Sequence, residues 1–73
     1  MALIEVKAET TGMVWKIGVK LGDRVSEDDT MITMESMKME VPLLAPEDGT
    51  VKEILVKEED PISEGDVAII LEV

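Results

Sequence analysis

Displaced by 37 positions, the second half of this 73-residue chain falls on the first. Gly12 meets Gly49, Val14 meets Val51 and Ile17 meets Ile54. Val19 with Val56, Lys20 with Lys57 and Asp23 with Asp60 follow, then Ser26 with Ser63, Glu27 with Glu64, Asp29 with Asp66 and Glu35 with Glu72. With Ile32 on Ile69, eleven of the 24 aligned pairs from Gly12 to Glu35 are identical, and pairs such as Val25 with Ile62 keep their apolar character. A unit this short does not close a core alone, so the two copies must pack on each other with quasi-twofold symmetry. Between them lies Glu35-Ser36-Met37-Lys38-Met39-Glu40, with Lys38 almost at the midpoint of the chain.

The apolar residues repeat with the period of strands. Ile4, Val6 and Ala8 alternate with Glu5 and Lys7, and Trp15, Ile17 and Val19 alternate with Lys16, Gly18 and Lys20. In the second copy Val51 is out of phase with Ile54 and Val56, so if all three face inward a bulge must lie between them. Further strands are expected over Met31 to Glu35, Met39 to Leu44 and Val67 to Val73. Turn signals separate them: Gly22-Asp23, Asp28-Asp29, Pro46-Glu47-Asp48-Gly49, Asp60-Pro61 and Glu64-Gly65-Asp66. No window holds an apolar helical stripe for three turns. The pattern predicts an all-β sandwich or flattened barrel, about four strands per copy, as one domain over residues 1–73.

Composition removes most chemistries. There is no Cys, His or Tyr, which excludes disulfides, thiolate nucleophiles, imidazole bases and ordinary zinc sites. Carboxylates, lysines and hydroxyls are a thin kit for catalysis, so an enzyme is not expected. The net charge of −10 argues against nucleic acid and anionic membrane as partners and leans toward a monomer. The longest apolar run, Val67 to Leu71, is far too short to span a bilayer, and the N-terminus has neither the basic nor the apolar region of an export signal. A cytoplasmic protein is expected. The acidic runs Glu27-Asp28-Asp29 and Glu58-Glu59-Asp60 lack the alternating ligand spacing of a calcium loop and read as solvated faces, so no metal site is assigned.

Strand candidates flank Met37-Lys38 with almost nothing between them, so a tight hairpin with these two residues near its tip is the economical reading. Neither Asn-Gly nor Asp-Gly is present to set a primed turn. Such a tip would project the ammonium into solvent, with flexible, polarisable methionines on either side suited to a reversible apolar contact. Periodicity alone favours a plainer reading, in which Lys38 is one more solvated lysine and both methionines are core; the lysine's place between the two copies argues for function. Trp15, the sole aromatic, aligns with Lys52, which points it outward, either to a partner or over a sheet edge.

Met37-Lys38-Met39, preceded by Glu35 and followed by Ala45-Pro46 and Gly49-Thr50-Val51, resembles the attachment motif of the biotinyl/lipoyl carrier domains. The stretches Val19 to Val25 and Val56 to Ile62 resemble that family's paired turns, and the similarity covers essentially the whole chain. The resemblance implies a flattened barrel of two four-stranded antiparallel sheets related by a quasi-twofold axis. The modified lysine would stand on an exposed hairpin. Methionines on both sides resemble the biotinyl branch, since the lipoyl branch usually has Asp before its lysine and Ala after it. Three departures are visible. Ser36 stands where biotinyl domains commonly have Ala, a change expected to matter little. Each turn glycine occurs in only one copy, Gly22 facing Glu59 and Gly65 facing Asp28, so a turn that needs positive φ would strain Glu59 more than Asp28. The chain also lacks room for the protruding loop of some acetyl-CoA carboxylase carriers, and so resembles the compact form.

The resemblance implies a carrier. A biotin-protein ligase would attach biotin to Lys38, with Met37 and Met39 as recognition contacts on the hairpin; Glu35 reads either as a further contact or, like its repeat mate Glu72, as an ordinary strand carboxylate. An ordinary exposed lysine is a protonated, poor nucleophile near neutral pH, so the ligase would supply both activation and deprotonation. The biotin would then carry a carboxyl group between a biotin carboxylase and a carboxyltransferase on separate chains. Lipoate at Lys38, serving a 2-oxo acid dehydrogenase or related complex, is the alternative. An unmodified interaction module on the same fold is the third reading.

Overall fold

The computed structural model describes residues 2–73. Eight strands follow one another: β1 (Leu3–Lys7), β2 (Gly12–Ile17), β3 (Arg24–Val25), β4 (Thr30–Ser36), β5 (Met39–Leu44), β6 (Gly49–Ile54), β7 (Pro61–Ile62) and β8 (Val67–Glu72). They form two four-stranded antiparallel sheets, ordered β1-β8-β6-β3 and β5-β4-β2-β7. The 37-residue shift converts each strand of one sheet into the corresponding strand of the other. The sequence repeat is therefore a twofold that exchanges the sheets, with four strands in each copy, as expected.

Register explains which residues the core takes. Val14 pairs with Met34 and Lys16 with Thr33, leaving Trp15 as an extra residue; Val51 pairs with Leu71 and Glu53 with Ile70, leaving Lys52. The bulge expected between Val51 and Ile54 is therefore present, and a matching one interrupts β2. The alternation read over Trp15, Ile17 and Val19 needs correction at its first member. The bulge turns Trp15 outward, half exposed, and puts Val14 into the core. A second matched pair of bulges leaves Met31 and Ala68 as the extra residues. That is why neighbours Met31 and Ile32, and Ala68 and Ile69, are all fully buried although strand residues normally alternate. The core is aliphatic and thioether, with Val14, Met31, Met34, Val51, Ile69 and Leu71 among its largest buried side chains. Burying each of them contributes about 1.5–3 kcal/mol. No buried polar or charged residue interrupts it among the described residues.

Four turns share one design. Lys20 to Asp23, Ser26 to Asp29, Lys57 to Asp60 and Ser63 to Asp66 each end in an aspartate. In each, the aspartate N–H donates to the carbonyl of the first residue at 3.0–3.1 Å, and its Oδ2 accepts from that residue's N–H at 2.9 Å. The third residue has positive φ in all four: Gly22 at 87°, Asp28 at 72°, Glu59 at 74° and Gly65 at 91°. Glu59 thus holds a conformation natural to its repeat mate Gly22, and Asp28 one natural to Gly65.

Candidate functional site

Between the two copies, β4 and β5 form a hairpin that pairs Glu35 with Glu40 and closes on the pair Ser36 with Met39. Only Met37 and Lys38 remain for the turn, with φ of 53° and 66°. Positive φ at both central residues is what a type I′ turn requires, and that geometry matches the twist of the flanking strands. Local sequence carries no sign of it, because neither residue is glycine or asparagine. Strand pairing on either side imposes it, and each side chain held there costs about 1–2 kcal/mol.

The strained turn presents its side chains outward. Met37 is 92% exposed, Met39 is 65% exposed and Lys38 is exposed. The plainer reading, in which these methionines are core, is thus not what the fold does; Met31 and Met34 fill that role. Lys38 is presented in the open on a two-residue tip, with an exposed methionine on either side. A covalently attached cofactor fits this arrangement, since nothing at the tip must be displaced to admit it. A concavity of about 530 Å³ lies elsewhere, between edge strands β1 and β5, and none of Glu35, Met37, Lys38 or Met39 lines it. The tip therefore offers attachment rather than enclosure.

The neck of the hairpin is fixed from one side. Gly12 runs so close to β4 that a Cβ there would collide with the Glu35 carbonyl oxygen. Ser36 Oγ donates to the Thr11 carbonyl at 2.8 Å, and Thr11 Oγ1 accepts from the Glu64 N–H at 3.1 Å. In the other copy Asp48 replaces Thr11 and accepts from the Glu27 N–H at 2.8 Å, while the mate of Ser36 is Val73, which has no hydroxyl. The Ser36 tie therefore exists only in the copy that carries the lysine. Sequence reasoning passed over Ser36 as a small residue; its pairing with position 73 in the repeat was the available signal.

Glu35 is exposed, directly opposite Glu40 on one side and Met13 on the other. Like charges facing each other across a ladder are unfavourable, so strand pairing gives no reason for both carboxylates. Trp15 lies on the same sheet but at the β2 bulge, outside the hairpin.

Comparison with known proteins agrees with this geometry. The biotin/lipoyl family model, described as "Biotin-requiring enzyme", matches residues 3–71. The biotin/lipoyl attachment protein of Bacillus subtilis is 42% identical over 88% of this chain and 88% of its own length. The biotinylated protein TB7.3 homolog of Mycobacterium leprae is 36% identical over 92% of this chain and 94% of its own. The dihydrolipoyllysine-residue acetyltransferase component of the pyruvate dehydrogenase complex of Cupriavidus necator is 38% identical over 94% of this chain, which spans 13% of that protein. Among solved structures, the urea carboxylase of Kluyveromyces lactis superposes on 99% of this chain with a TM-score of 0.93 at 32% identity, the match covering 6% of that chain. The repeat, the two exchanged sheets, the lysine hairpin and these matches together show that the chain belongs to the biotin/lipoyl attachment family of non-catalytic carrier domains.

Proposed function

We propose that this protein is a biotin carrier, with Lys38 as the attachment site and Met37, Met39 and Glu35 as the contacts by which a biotin-protein ligase recognises the hairpin. The observation that carries this reading is the pair of thioethers left open on either side of the lysine, where a buried role for them would have been cheaper in free energy. The name of the Mycobacterium leprae relative, similar over nearly its whole length, supports biotin. In the attachment step the Lys38 amine loses a proton to the ligase and attacks the carbonyl carbon of an activated biotinyl-adenylate. The amide forms as AMP leaves. Attached biotin would supply the ring that accepts and releases a carboxyl group. The chain itself contributes reach, a rigid base and a high effective concentration of the tethered group. Its partners on this reading are a biotin carboxylase and a carboxyltransferase, in the cytoplasm.

A lipoyl carrier is the second reading, favoured by the Cupriavidus necator relative. Transfer in vitro separates the two. The unmodified protein is offered to purified biotin-protein ligase with biotin and ATP, and separately to a lipoyl ligase with lipoate and ATP. Faster biotin transfer is expected. Faster lipoyl transfer would replace this reading with the second.

A further inference from the structure

The chain has no cysteine, so its thioethers are its softest nucleophiles. Their environments divide sharply among the described residues. Met31 and Met34 are at most 1% exposed and Met13 is 38% exposed, whereas Met39 is 65% and Met37 92% exposed. Among the described residues, the two most exposed methionines are thus the two that flank Lys38. They sit on a tip whose backbone is already strained, with φ of 53° at Met37 and 66° at Lys38.

We propose that Met37 and Met39 are sites of reversible sulfoxide formation, and that oxidation there closes Lys38 to its ligase. The oxidant is a hydroperoxide. A sulfur lone pair attacks the terminal peroxide oxygen, the O–O bond breaks, and the proton on the transferred oxygen passes to the departing one, which leaves as water from hydrogen peroxide or as an alcohol from an organic hydroperoxide. The thioether is oxidised by two electrons as the peroxide is reduced by two. A thiol-dependent methionine sulfoxide reductase reverses the change, forming water and a disulfide. Sulfoxide formation turns a flexible apolar side chain into a polar one. A surface that accepts methionine through apolar contact would then have to bury an S=O dipole without a partner. The core is spared, since Met31 and Met34 are shielded, so the fold remains while the site closes. The proposal rests on the hairpin being read by a ligase through its methionines.

The test begins with the full unmodified chain treated with hydrogen peroxide, followed by catalase and desalting before any ligase is added. Peptide mapping should show oxygen gained at Met37 and Met39 well before Met31 and Met34. The biotin-transfer rate should fall about tenfold or more, and methionine sulfoxide reductases with a dithiol should restore it. Near-ultraviolet and fluorescence signals of Trp15 should stay native throughout. Equal oxidation of buried and tip methionines would overturn the proposal. So would transfer to the oxidised protein at the native rate, and in that case the carrier reading survives. If the untreated protein accepts neither biotin nor lipoate, the carrier reading and this proposal fall together.

Discussion

Glu59 and Asp28 carry side chains at φ of 74° and 72°, while their repeat mates Gly22 and Gly65 do the same work without a Cβ. A Cβ at Gly22 or Gly65 would meet nothing within 4 Å, so backbone conformation alone, not space, makes glycine the better residue in these turns. Glu59→Gly should therefore stabilise the protein by about 0.5–1 kcal/mol, the relief of left-handed strain less the added freedom of the unfolded chain. Urea unfolding followed by Trp15 fluorescence reads this directly, and a loss of stability would contradict it. Met37 and Lys38 hold the same conformation without a turn-stabilising mate, which is where strain coincides with the proposed site. Lys38→Arg keeps charge and exposure, so unfolding should be unchanged within about 0.5 kcal/mol while cofactor attachment is lost completely. A Lys38→Arg protein that still supports its pathway in cells would favour the unmodified interaction module.

At the scale of strands and hairpins, like charges meet at the neck of the lysine hairpin. Glu35 and Glu40 sit directly opposite each other, and replacing one by a cation should make the pairing favourable. Glu40→Lys should raise the unfolding free energy by about 0.2–1 kcal/mol, measured in urea at low salt, with the gain shrinking as salt is added. No gain at low salt would mean that the two carboxylates are already relaxed apart. The same scale shows what was legible in the sequence. The alternation of Ile4, Val6 and Ala8, the bulge after Val51 and the tight hairpin at Met37-Lys38 could all be read, because each follows from period or from the lack of linker residues. The inward place of Val14 could not be read from the Trp15, Ile17, Val19 alternation, since a bulge shifts phase without changing composition. Only the repeat, pairing Trp15 with Lys52, pointed the right way. The primed turn was hidden for a different reason: its conformation is imposed by β4 and β5 on residues that do not favour it. Ser36 was hidden because its partner, the Thr11 carbonyl, is 25 residues distant.

For the whole molecule, the repeat is closed in a circle. The mates of Ser36 and Met39 are Val73 and Ala2, and these too are paired, Ala2 N–H to Val73 O at 3.0 Å and Val73 N–H to Ala2 O at 2.9 Å. The neck of the lysine hairpin lies against Thr11 and Gly12, just past the foot of the β1–β8 pair where Ala8 bonds Gly65 and Asp66. Lys38 and residue 73 therefore lie toward opposite ends of a body 36 Å long and 17 Å across. A folded domain fused after Val73 should leave the rate of attachment at Lys38 unchanged in a ligase assay, whereas a fusion inserted between Met37 and Lys38 should abolish it. Slowed attachment in the first fusion would mean that the ligase also grips the far end. The central claim, that Lys38 is a biotin attachment site, is tested most directly by intact mass and peptide mapping of protein purified from cells supplied with both biotin and lipoate. A biotinyl increment on Lys38 is the predicted result; a lipoyl increment, or a chain still unmodified after purified ligase and ATP, would contradict it.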